Sequence, residues 1–141
     1  MSKPKSLIGS ELDSITKTIE ISQIKNLYSA TSFDLSLNES SNNLPSFLYG
    51  NLINLMGIYK TLGLNIKNIL LSRESILFHR LVNVGESIKI RTFLKDAYEQ
   101  QASANPIGFI ILESVGQVDK DIAFYCERIL AVRGGFSRGR Q

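Results

Sequence analysis

Cysteine and histidine each occur once in this 141-residue chain. The lone Cys126 excludes an internal disulfide and suits a reducing compartment, so a cytoplasmic location is expected. It sits in an apolar run, where a buried small hydrophobe is its ordinary role. His79 and Cys126 share no ligand-like spacing, so no metal is expected. No serine elbow or phosphate-cradling glycine loop is present, since "VGESIKI" and "RGGFSRGR" fit neither template. No apolar run reaches the roughly 18–20 residues that span a bilayer. The opening "MSKPKSLIGSELD" lacks the apolar core of a secretion signal, and no membrane contact is expected. The net charge is only +3, and part of it lies in the Gly/Arg-rich end "RGGFSRGRQ". Residues 134–141 read as a flexible basic tail. With no folded basic face or aromatic platform behind that tail, nucleic acid is not an expected partner.

What is present is the composition of one soluble domain, 43% hydrophobic and 21% charged. The expected unit covers residues 1–133 and is long enough to bury a core without staples. "SITKTIEI" reads as extended. Ser22 then caps a helix through "QIKNLYSAT", whose Ile24, Leu27 and Tyr28 form one apolar stripe. "NESSNN" is a loop by turn chemistry. A second helix is expected from Ser46 to about Leu62, apolar around most of its circumference. Gly50, Asn54 and Gly57 form one small or polar line along it, and Gly63 is a C-terminal cap. Those glycines serve either close approach of a sheet or a ligand.

From residue 68 onward the pattern turns to strands. "NILLSRESILFHRLV" is followed by "VGE" and "SIKIRTFLKDAY", where Ile88, Ile90 and Leu94 share one face and Lys89, Arg91 and Lys95 the other. A gap containing Asn105 and Pro106 leads to "IGFIILESVGQV". A two-residue Asp119–Lys120 turn then joins it to "DIAFYCERILAVR" as a hairpin. The expected class is α+β, a long antiparallel sheet wrapped around a central buried helix.

Three segments add a resemblance. "IGSELDSITKTIEISQIKNLYSATSFD", "LPSFLYGNLI" and "ILFHRLVNVGESIKI" resemble, in that order, the opening strand and helix, the start of the central helix, and the aromatic strand with its Gly-Asp/Glu corner in MaoC-like hydratases and dehydratases. The likeness runs from about Ile8 to Arg133, is closest to the dehydratase half-domains, and implies the hot-dog fold. Active members carry Asp-x-Asn-Pro-x-His, an acid and a histidine that move water across a carbon–carbon double bond of an acyl thioester. Here Asp34 falls at the acid's position. Ser36, Leu37 and Glu39 stand where Asn, Pro and His are expected. The resemblance therefore leaves Asp34 and Glu39 as the catalytic candidates, set against cap and solvated-loop roles for the same residues. His79 matches a strand position before the corner, not the catalytic histidine.

The substrate-binding half is implied at Pro45, Tyr49, Gly50, Asn51 and Asn54. In relatives, a glycine near the start of the central helix offers backbone N–H groups to the thioester oxygen. Glycine there equally permits helix–sheet contact. The implied activity is that of a non-catalytic or degenerate subunit, pairing as a homodimer or with a catalytic hot-dog partner on enoyl- or 3-hydroxyacyl-CoA. No cofactor is implied beyond an acyl-CoA or acyl-carrier-protein thioester as substrate. A hot-dog thioesterase is the alternative, disfavoured because no acid lies between Pro45 and Leu62. A non-enzymatic acyl-binding module is the third reading.

Overall fold

The computed structural model describes residues 2–22, 52–102 and 104–138. In chain order the elements are α1 (Lys3–Ser6), β1 (Glu11–Thr18), α2 (Leu55–Leu62), a 3₁₀ turn (Ile66–Asn68), β2 (Ile69–Phe78), β3 (Ser87–Ala102), β4 (Asn105–Val118), β5 (Asp121–Arg133) and α3 (Gly135–Arg138). The strands make one sheet in the order β1-β3-β4-β5-β2, antiparallel throughout. The expected helix after Ser22 falls on residues outside those described. Among the described residues, no helix is long and apolar enough to cross a membrane.

The alternation read from the sequence sets the two faces. Ile88, Ile90 and Leu94 are buried, and so are Ile110, Leu112, Cys126, Leu130 and Val132 on the neighbouring strands. The opposite face is charged: Lys95 bridges Glu113 at 3.4 Å and Glu127 at 2.9 Å, and Arg91 meets Glu11 at 2.9 Å. α2 lies on the apolar face, with Ile58 and Leu62 fully buried. The β4–β5 hairpin turns at Asp119–Lys120 as expected, with Asp119 at φ 51°. Aspartate tolerates this left-handed conformation better than most residues.

Four expectations need correction. The central helix does not run unbroken through Asn54, because Asn54 (φ −80°, ψ 72°) is the N-cap of α2, which begins at Leu55. Residues 46–51 lie outside those described. Nor is α2 buried around most of its circumference, since Met56 is 60% exposed and Lys60 and Thr61 face solvent. The gap at Asn105–Pro106 is instead the start of β4, where Pro106 pairs with Gln101. Proline is tolerated in this central strand because pairing with β5 ends one residue later, at Ile107 and Arg133. Finally, the C-terminal segment is not a free tail from residue 134. Phe136 is 1% exposed and packs over Gly108, where a Cβ would fall 2.5 Å from the ring. The Phe136 N–H donates to Glu99 at 3.3 Å.

Candidate functional site

Asn54 is the one sequence-derived site residue among those described. Asp34, Glu39, Pro45, Tyr49, Gly50 and Asn51 lie outside them. Asn54 closes the mouth of α2 from two sides. Its Oδ1 accepts from the Gly57 N–H at 3.3 Å, and its Nδ2 donates to Asp13 Oδ1 at 3.5 Å. Its backbone carbonyl accepts from the Ile58 N–H at 3.1 Å. The small line read at Asn54 and Gly57 is thus a real juxtaposition, and its cause is the cap. A Cβ on Gly57 would lie 2.5 Å from Asn54 Nδ2. The Ile58 bond is the first regular helical one; of the first-turn donors without a helical partner, the Gly57 N–H is held by the Asn54 side chain and the Leu55 N–H by the Ile53 carbonyl at 2.9 Å. The Asp13 carboxylate adds negative charge where a helix N-terminus favours it.

Asp13 is the residue that sequence reading missed. Leu12 is an extra residue in β1, at a bulge between Glu11 and Asp13. C-terminal to that bulge, Asp13 keeps the alternation of Ile15 and lies on the buried face, opposite Thr92. Oδ2 of Asp13 is buried and has no hydrogen-bond partner among the described residues. A polar row continues inward from it. Thr92 faces Ser114, with their hydroxyls 2.7 Å apart, and Ser114 faces Cys126. Burial pushes the Cys126 thiol up to about 11, as befits an inert interior cysteine.

One register further along, Arg128 on β5 lies opposite Glu74 on the edge strand β2, and Arg128 Nε donates to Glu74 Oε2 at 2.7 Å. The Arg128 side chain is only 8% exposed. Tyr59 of α2 stands near it. Burial raises the Tyr59 phenol, and the Arg128 cation opposes that rise. The pair therefore lies between α2 and the β2 edge. The signal for it in the sequence was a charged residue at an inward position of "FYCERILAV".

The Gly-Glu corner has a structural role. Arg80 donates from Nη2 to Glu86 at 2.6 Å, from Nη1 to Asp121 at 3.2 Å, and from Nε to the Leu81 carbonyl at 3.3 Å. The Asn83 N–H reaches Glu86 at 2.8 Å. That backbone donor and the Arg80 guanidinium hold the Glu86 carboxyl below its ordinary value, against partial burial. The corner ties β2, β3 and the β4–β5 turn together. His79 lies beside it, exposed, in an open groove of about 530 Å³ with Arg80, Lys120, Asp121 and Ile122. Among the described residues, no group of three His, Cys, Asp or Glu side chains is placed to hold a metal.

No protein-family model matches the chain, and no curated protein matches it in sequence. Solved structures do match in shape. The ChsH1–ChsH2 complex from Mycobacterium tuberculosis superposes with a TM-score of 0.68 at 14% identity, covering 94% of this chain and 88% of that one. The HadBC (3R-hydroxyacyl-ACP dehydratase) complex from Mycobacterium tuberculosis gives 0.70 at 12% identity, covering 89% and 96%. A MaoC-like dehydratase from Rhodospirillum rubrum gives 0.55 at 10%, covering 90% and 92%. The chain has the hot-dog fold. In a hot-dog protomer the five-stranded sheet and the helix on its buried face form one core. The fold that the resemblance implied is therefore present, and at these identities the likeness is one of fold.

Proposed function

We propose that this hot-dog protomer is the non-catalytic member of a pair of hot-dog subunits acting on an acyl thioester, of the enoyl- or 3-hydroxyacyl-CoA class. The chemical contrast between its two sheet edges carries the reading. The β1 edge presents Glu11, Ser14, Thr16 and Thr18 to solvent. The β2 edge exposes Leu70, Leu71, Leu77 and Phe78, each more than half exposed. A strand of this length with no partner on its outer side among the described residues, and with large apolar side chains on both faces, is a surface that another strand covers. Two of the structural neighbours, ChsH1–ChsH2 and HadBC, are complexes.

Three observations favour a supporting role over catalysis. Glu39 stands at the position of the family histidine, the α2 mouth is capped from within, and His79 lies in a corner away from Asn54. Asp34 and Glu39 are the candidates for any residual acid–base work. Pro45, Tyr49, Gly50, Asn51 and Asn54 are the candidates for holding the thioester.

A second reading, thioester hydrolysis, has one observation in its favour. The acid missing from the helix sequence is supplied beside the helix by Asp13.

Native mass spectrometry of the protein isolated from its own cells tests both readings. Recovery of a second hot-dog chain bearing Asp-x-Asn-Pro-x-His, lost when Leu77 is changed to Lys, is the expected result. A monomer indifferent to Leu77→Lys would refute the pairing. Acyl-CoA hydrolysis by the isolated chain, abolished by Asp13→Asn, would replace the first reading with the second.

A further inference from the structure

One row of the inner face runs Asp13, Thr92, Ser114 and Cys126, from β1 to β5. Thr92 is 1% and Ser114 3% exposed, so Asp13, partly exposed at the β1 end, is the member of the row nearest solvent. Residues directly opposite in an antiparallel pair have Cβ atoms about 5 Å apart, which makes Asp13 and Thr92 neighbours.

Hydrogen-bond counting leaves this row incomplete at two complementary points. The Thr92 and Ser114 hydroxyls lie 2.7 Å apart, and one of them donates to the other. Two hydroxyls carry two protons, and a single bond between them uses one. The second proton finds no acceptor among the described residues. Oδ2 of Asp13 is buried and finds no donor among them, while Oδ1 accepts from Asn54. A surplus donor and a surplus acceptor therefore share one buried row, each a costly state for a group out of water.

A group that completes both must accept from a hydroxyl and donate to a carboxylate. Water or an alcohol does so through a single oxygen. A thioester carbonyl only accepts, and would set its lone pairs against Oδ2. A hydrocarbon does neither.

We propose that Asp13, Thr92 and Ser114 form a hydroxyl-binding site, taking one O–H oxygen that donates to Asp13 Oδ2 and accepts from the Thr92–Ser114 pair. Water and the 3-hydroxyl of a 3-hydroxyacyl thioester share this chemistry. The second source rests on the acyl-thioester reading above, and it sets 3-hydroxyacyl groups above enoyl and saturated ones as ligands of this chain.

The test is a high-resolution crystal structure of the full chain, with its partner subunit where one co-purifies, grown with and without 3-hydroxybutyryl-CoA. The expected result is an oxygen within about 2.5–3.0 Å of both Asp13 Oδ2 and the Thr92 or Ser114 hydroxyl. Water in that place in both crystals assigns the site to water, and the ligand's hydroxyl there in the second assigns it to the thioester. Titration calorimetry separates the same two sources in solution. A thioester site binds 3-hydroxybutyryl-CoA at least about tenfold tighter than butyryl- or crotonyl-CoA, as one hydrogen bond to a charged group implies. Thr92→Val with Ser114→Ala replaces both partners of a buried bond by apolar groups, a change the fold tolerates, and should cut that preference at least about threefold. A folded double variant that keeps the preference overturns the thioester assignment. Oδ2 bonded directly to Thr92 or to another protein group, or no oxygen beside it, overturns the site altogether. Absence of binding by all three thioesters overturns the acyl-thioester reading, and the crystal of the free chain then decides the hydroxyl site by itself.

Discussion

Replacing Asn54 by alanine removes two bonds at once, and their consequences differ. The Gly57 N–H loses its cap acceptor, a change that costs about 1 kcal/mol at a typical N-cap. Asp13 loses the amide that donates to Oδ1, while its Oδ2 is already buried without a partner among the described residues. Leaving a buried acceptor unsatisfied costs about 1–3 kcal/mol, though the 3.5 Å contact places this one at the lower end. Asn54→Ala should therefore destabilise the fold by about 2–3 kcal/mol, a large part of the stability of an ordinary domain. Urea unfolding followed by far-UV circular dichroism measures it as a shift in midpoint at constant slope. A double-mutant cycle separates the two consequences. With Asp13→Ala already in place, Asn54→Ala should cost about 1 kcal/mol less, because no carboxylate remains to be orphaned. A cost below about 0.5 kcal/mol, or strict additivity with Asp13→Ala, would refute the account of Asp13 and Asn54 as one closed unit at the α2 mouth.

Gly116→Val should prevent folding or cost several kcal/mol, because the Phe124 ring and Ile88 occupy the space any Cβ would take, a severe case of overpacking. Soluble yield and thermal unfolding measure this, and a wild-type melting temperature would show that the ring moves aside. Cys126 sets an alkaline limit. Its folded thiol is pushed up to about 11 from an unfolded value near 9, so the stability this gives is complete below pH 9 and is lost as pH rises through about 11. The contribution is on the order of 2–3 kcal/mol. Cys126→Ala should flatten that alkaline decline in unfolding free energy, and an unchanged pH profile would remove the cause.

The sequence made the strands legible wherever one face was uniformly apolar. Ile88, Ile90 and Leu94 alternate with lysines and arginine, and the sheet buries the first set and wets the second. The β4–β5 hairpin was legible too, because a two-residue link between alternating runs leaves little else for the chain to do. Periodicity failed where a single side chain overrides it. Asn54 falls inside the helical pattern of "LINLMGIYKTL", yet its side-chain Oδ1 accepts from the Gly57 N–H and starts the helix there. Phe136 failed for a related reason: a Gly/Arg-rich end reads as solvated, and only the folded sheet reveals the vacant strip over Gly108 that the ring fills.

The polar groups of the inner face were harder still to foresee, because their meaning depends on register. Asp13 faces inward because it shares a register with Ile15 opposite Ile90, and one residue of slip would have put it in solvent. Thr92, Ser114 and Arg128 each look like isolated exceptions in strands that are otherwise well patterned. Pairing brings the first two within 2.7 Å of each other and sets the third against Glu74 from a distant strand. The consequence bears on function. The motif that the resemblance supplies covers the stretch from Asp34 to Glu39. Among the described residues, the charges inside the fold instead come from β1, β2 and β5, at the helix mouth and at the apolar edge. The helix mouth closed by Asn54 and Asp13, and the apolar side chains displayed on β2, are the two features of the fold on which the proposed supporting role rests.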